Sequence, residues 1–122
     1  MKKLSTKWFK KWANKVKLNN EDLLDAVNAL ESGLSTANLG GNLFKVRVKR
    51  KHSGKRAGFR TIIVFKSDVR AVFLFGFEKN EKENINKNEL KYFKKLGYDI
   101  LSLNSKELEK AMSKKILFDL EA

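Results

Sequence analysis

Apolar positions recur along this chain with two periods, and the change from one to the other divides it. Between residues 6 and 17, Trp8, Trp12 and Val16 fall at i, i+4 and i+8, with Phe9 and Ala13 widening the stripe. Lys7, Lys10, Lys11 and Lys15 lie mostly off it. This spacing predicts a helix, whose first free amides Ser5 or Thr6 can cap. Trp8, Phe9 and Trp12 read as core at that spacing, with Trp12 partly exposed. Residues 2 to 4 leave room for a short edge strand ahead. Leu23, Leu24, Val27 and Leu30 mark a second helix over 21–32, with Asn19 or Asn20 as its cap. Glu21 and Asp22 sit in its first turn, where negative charge meets the positive end of the helix dipole. Gly33 is its stop. Two short helices in succession predict a hairpin that packs on something flatter. Leu39, Gly40, Gly41 and Asn42 read as a flexible loop.

The period then becomes two. Phe44, Val46 and Val48 alternate with Lys45, Arg47 and Lys49, so one face of this strand is apolar and the other cationic. Residues 59–66 are denser: Ile62, Ile63, Val64 and Phe65 run together, as in a strand covered on both sides. Lys66, Ser67 and Asp68 form a turn, and residues 71–77 make another apolar strand. Short connections imply antiparallel neighbours. Helical spacing returns over 87–101, with Leu90, Phe93, Leu96 and Ile100 inward and Gly97 as a weakness. Asn104 with Glu107 three residues later is a capping box opening a last helix through Met112. Ile116, Phe118 and Leu120 alternate with Leu117, Asp119 and Glu121, which suggests a final strand. The expected fold is α+β: an N-terminal helical hairpin packed on a small twisted antiparallel sheet, followed by C-terminal helices.

Composition narrows the class. The chain has 122 residues, 42% of them hydrophobic, with nine Phe and two Trp. That suits one globular domain, residues 1–122. With no cysteine, a disulfide framework and a thiolate nucleophile are both excluded. No apolar run has the length of a membrane span or a signal peptide, so a cytoplasmic protein without a membrane partner is expected.

Charge changes the picture most. The formal net charge is +13, which points to a polyanionic partner. Residues 1–20 hold seven Lys and no acid, and residues 32–67 hold nine Lys or Arg and no acid. Glu21, Asp22, Asp25 and Glu31 lie between the two basic segments. Leu43 to Arg60 alone carries eight Lys and Arg, one His and no acid.

Most catalytic constellations are absent. A single histidine, His52, cannot build a His-based metal cluster, and neither a GxxxxGK[ST] loop nor a GxGxxG fingerprint occurs. No pair of carboxylates is spaced to act together. Basic chemistry remains. RNA cleavage by attack of a 2′-hydroxyl on the adjacent phosphate needs a base, a cation for the phosphorane and an acid for the departing oxygen, with no metal or other cofactor. Arg60 is the first candidate, because a planar guanidinium fork matches phosphate oxygens. It opens the densest strand, just after Gly58, which would let a ligand approach the backbone. Lys79, at the end of the next strand, would near Arg60 if the strands are neighbours. Lys45 lies on the cationic strand face. Arg47, Lys49, Arg50, Lys51, His52, Lys55 and Arg56 would grip RNA by phosphate attraction, with His52 ranked below Arg60 as a catalyst.

A series of segments then carries a resemblance: TKWFKKWA from Thr6, NLGGNLFKVR from Asn38, GKRAGFRT from Gly54 and FLFGFEKNE from Phe73. In this order and spacing the chain resembles the RelE/ParE superfamily of bacterial toxins, and within it the RelE-like translational repressors. The resemblance covers nearly the whole chain. It implies a ribosome-dependent endoribonuclease that cuts mRNA, neutralised by a cognate antitoxin that commonly carries a DNA-binding domain. It places Arg60 at the position that stabilises the scissile phosphate and Lys79 at a second basic catalytic position, and it matches Lys45 and Arg47 to the basic strand. Some relatives have a tyrosine a turn beyond that second position, near Ile85 here. Its absence leaves the acid and base to Lys45, Lys79 or His52. Two other functions remain open: relatives of the ParE type poison gyrase, and a non-enzymatic nucleic-acid-binding module would use the same charge.

Overall fold

The computed structural model describes residues 1–34, 37–50 and 58–122. The chain runs β1 (Lys2–Thr6), α1 (Lys7–Lys15), α2 (Asn20–Glu31), β2 (Ala37–Gly40), β3 (Leu43–Lys49) and β4 (Gly58–Lys66). It continues with β5 (Arg70–Glu78), α3 (Lys87–Leu101), α4 (Ser105–Ser113) and β6 (Leu117–Asp119). The strands form one sheet in the order β2-β3-β4-β5-β1-β6.

The expected N-terminal helical hairpin on a small antiparallel sheet is overturned. The chain starts with a strand, and the sheet has six strands and is mixed. β1 is not an edge strand: it runs parallel to β5 and antiparallel to β6, between them. Its one large apolar residue, Leu4, and the neighbouring Ser5 are both buried, so no alternation in its sequence marks it as interior. Its position is set by contacts with residues far along the chain. β2 is a second departure. Gly40, Gly41 and Asn42 all have φ near +60° to +86°, so they turn the chain tightly and let β2 pair antiparallel with β3.

The helices begin where caps end the strands or loops. Thr6 accepts from the Phe9 amide to open α1, and reciprocal capping boxes join Asn19 to Asp22, Asn86 to Glu89 and Asn104 to Glu107. β3, β4 and β5 pair antiparallel, as their short spacing requires. The sheet buries both faces. On one, α1 and α2 bring Phe9, Ala13, Leu23, Val27 and Leu30 against Val46, Val48, Phe59, Ile63 and Phe73. On the other, α3 and α4 bring Phe93, Ile100 and Leu108 against Leu43, Ile62, Val64, Val72 and Leu74. The unbroken apolar run in β4 feeds both clusters, and each such side chain taken from water stabilises the fold by roughly 1.5–3 kcal/mol.

The C-terminal alternation is phased differently from its sequence reading. Leu117 and Leu120 are buried while Ile116 is 55% exposed. α1 differs too. Phe9 and Ala13 face the core and Trp12 is half-buried against it, but Trp8 is 48% exposed and is not core.

Candidate functional site

The pairing of β3 with β4 puts the candidate cations on one surface. Lys45, Arg47 and Lys49 lie opposite Ile62, Arg60 and Gly58 across the ladder. On β4's other side Arg60 lies opposite Phe77 of β5, and Ile62 opposite Phe75. This is the face of the sheet that α3 packs on, and Phe93 of α3 reaches Phe75, the ladder partner of Ile62. Lys45 and Arg60 are half-buried, while Arg47 and Lys49 are exposed.

Arg47 and Arg60 face one another directly, a pairing of like charges that weakens a sheet. One feature relieves it. The Arg47 guanidinium leans over Gly58: a Cβ there would lie 3.0 Å from its Nε and 3.1 Å from its Nη2. Gly58 is therefore the seat of Arg47. Arg60 stays in place with its Nη1 buried and without a hydrogen-bond partner among the described residues. A buried donor left unmade costs about 1–3 kcal/mol, so holding Arg60 there weakens the fold.

Lys79 is exposed, one residue beyond β5 and two beyond Phe77. The β4–β5 ladder thus carries it to Arg60's end of the sheet. Arg50 is turned away from this group. Its guanidinium lies 5.2 Å from the centre of the Phe59 ring, and Phe59 belongs to the core under α1 and α2. Its Nε is buried without a hydrogen-bond partner. Near it, Asp22, Asp25, Val48 and Lys49 line a cleft between α2 and the end of β3. Lys51, His52, Lys55 and Arg56 lie outside the described residues.

The sequence reading found α3 but overlooked its lysines. Lys87, Lys91 and Lys94 fall on one stripe, at i, i+4 and i+7. The Lys94 stem lies over the β2–β3 turn, with its Nζ 3.4 Å from where a Cβ of Gly40 would stand. Both acids of α3 are engaged elsewhere: Glu89 pairs with Lys82 at 2.8 Å, and Asp99 with Lys95 at 2.8 Å. Nothing neutralises the stripe among the described residues, so it extends the cationic field of the sheet. The glycine pair beneath Lys94 was the available signal.

This arrangement can attract a phosphodiester and stabilise negative charge building on it. No group of His, Cys, Asp or Glu among the described residues could hold a metal ion. No helix among them is long and apolar enough to cross a membrane.

A comparison with curated proteins gives no match. Residues 1–120 do match the family model described as the RelE toxin of the RelE / RelB toxin-antitoxin system. With a match that runs from β1 through β6, the chain belongs to the RelE toxin family and is the toxin of a toxin–antitoxin system.

Proposed function

We propose that this toxin is an endoribonuclease that cuts mRNA held in the ribosome's decoding site, in the cytoplasm, and that a cognate antitoxin silences it. The observation that carries the reading is Arg60: half-buried, fixed opposite Arg47, with a buried Nη1 that has no partner among the described residues. In the reaction a 2′-hydroxyl oxygen attacks the adjacent phosphorus and the P–O5′ bond breaks. The products are a 2′,3′-cyclic phosphate and a 5′-hydroxyl end. Arg60 stabilises the charge on the phosphorane's equatorial oxygens. Lys45 and Lys79 flank it as the groups that exchange protons with the attacking and departing oxygens. Arg47 and Lys49 hold the flanking phosphates, with Lys51, His52, Lys55 and Arg56 adding grip. The ribosome aligns the RNA, which this open surface does not do alone.

The test is induction of the protein and of Arg60→Ala in growing bacteria, with protein synthesis and mRNA 5′ ends followed together. The expected result is a rapid arrest of synthesis with new 5′-hydroxyl ends inside coding regions, absent from the variant. Continued synthesis with disturbed DNA supercoiling would replace this reading with gyrase inhibition.

A further inference from the structure

The β5 edge is left bare beyond Phe73. β1 pairs with β5 only from Arg70 to Phe73, so Leu74–Glu78 has no strand partner on that side among the described residues. Aromatic rings cover it instead. Phe75 stacks on Trp8 of α1 at 4.7 Å and meets Phe93 of α3 at 5.1 Å. Trp8 continues to Trp12 at 6.4 Å, and Phe93 to Tyr92 at 5.3 Å. The result is a ribbon of rings that wraps the edge from one helical layer to the other. It starts beside the candidate site: Phe77, across the ladder from Arg60, is 6.0 Å from Phe75.

Edge cover alone needs buried rings, yet the two ends of this ribbon stand in water. Trp8 is 48% exposed and Tyr92 62% exposed. The charged residues of α1, which carries Trp8, are all cationic. Lys7 and Lys11 flank it on α1, and residues 1–20 contain no acid. The first turn of α1 also lacks an acid, and Lys7 stands there against the positive end of the helix dipole. Exposed rings beside lysines of α1, linked through Phe75 and Phe77 to the strand position opposite Arg60, have the two parts of a single-strand site: planes for bases and cations for the backbone.

We propose that the Trp8–Phe75–Phe93–Tyr92 ribbon is a stacking platform for bases of single-stranded RNA flanking the phosphate at Arg60, with Trp8 as its principal contact. This rests on the reading of the cationic face as an RNA site. Charge decides the occupant: an apolar helix of a protein partner would seat on the rings but would leave Lys7 and Lys11 unanswered unless it were acidic.

The test uses purified full-length toxin with Trp12→Phe, which leaves Trp8 as the one tryptophan. Two probes are titrated: a short oligouridylate and an abasic ribose-phosphate oligomer of equal charge. The oligouridylate is expected to quench Trp8 emission and the abasic oligomer to leave it unchanged. Trp8→Ala should weaken oligouridylate binding about tenfold or more, given the usual worth of one stacked base, and leave the abasic oligomer bound as before. Trp8→Phe, which preserves edge cover, should restore most of the loss. Equal quenching by both probes, equal loss for both, or unchanged oligouridylate binding in Trp8→Ala would overturn the proposal. So would a loss confined to antitoxin binding. No ribosome is present in this assay. A protein that binds as expected but leaves translation intact would refute the nuclease reading and keep the platform; arrested translation with base-blind binding would do the reverse.

Discussion

At the scale of residues, two glycines show packing overruling local preference. Gly97 sits inside α3, where an alanine would favour the helix by roughly 1 kcal/mol. A Cβ there would lie 2.8 Å from Cγ2 of Val64, a β-branched side chain with no exposure. Overpacking of that kind costs about 1–3 kcal/mol. Gly97→Ala is therefore expected to lower the urea midpoint, and a raised midpoint would show that α3 can lift from the sheet. Gly58 acts on the site instead of the fold. Gly58→Ala should leave the midpoint nearly unchanged, because the Arg47 guanidinium is a flexible end that can move aside. It should weaken RNA binding in an anisotropy titration by shifting Arg47. Arg60→Ala carries both effects with opposite signs. It relieves a like-charge pair and an unsatisfied donor, so stability should hold or rise slightly. Cleavage on ribosomes should fall about 10²–10³-fold, the usual loss when one preorganised donor to an oxyanion is removed.

Arg60's place was legible because a glycine, an arginine and a dense apolar run are all local signals. The reason for Gly58 was not. It depends on the lean of a side chain on the neighbouring strand. Trp8 failed for a related reason: helical spacing shows which positions share a stripe, but not where the surface beneath that stripe ends.

At the scale of elements, the caps were the most readable features. Asn104 and Glu107 form the box their spacing announces, and Asn86 with Glu89 and Asn19 with Asp22 repeat it. Glu89 has a second partner. The Lys82 ammonium hydrogen-bonds its carboxylate, and the Asn86 amide donates at 2.8 Å, so its pKa is held below the ordinary carboxylate value. A depressed folded-state pKa contributes stability above the unfolded value, and this is lost as pH falls through the folded one. Glu89→Gln should therefore narrow the gap between denaturation midpoints measured near pH 7 and near pH 3, spanning the usual carboxylate range. An unchanged gap would mean that solvent screens the pair completely. β3, β4 and β5 were equally legible, since runs of apolar residues separated by turns have few alternatives. β1 and β2 were not. β1 offers one buried leucine, and β2 is paired only because a left-handed Gly-Gly-Asn turn returns the chain onto itself.

At the scale of the whole molecule, the charge read from the sequence becomes a direction. The acids of α3 are engaged with lysines, and Lys94 lies over the turn that leads into the cationic strand β3. RNA affinity should fall steeply with salt, and each phosphate contact removed should flatten the log–log slope by about 0.7 for a single strand. Lys49→Ala is expected to do this across all RNA sequences alike. A slope that does not change would place Lys49 off the RNA path.

The strand made first is seated among those made last. β1 joins β5 and β6, so Leu4 and Ser5 find their neighbours only after residues 70–73 and 117–119 have been synthesised. Contacts of such long sequence separation close late. A chain still emerging from a ribosome carries its basic hairpin early, but lacks the frame that holds Arg60 opposite Phe77 until β5 arrives. β1 thus stays unpaired on both sides until β5 is made, and the sheet closes only when residues 117–119 follow.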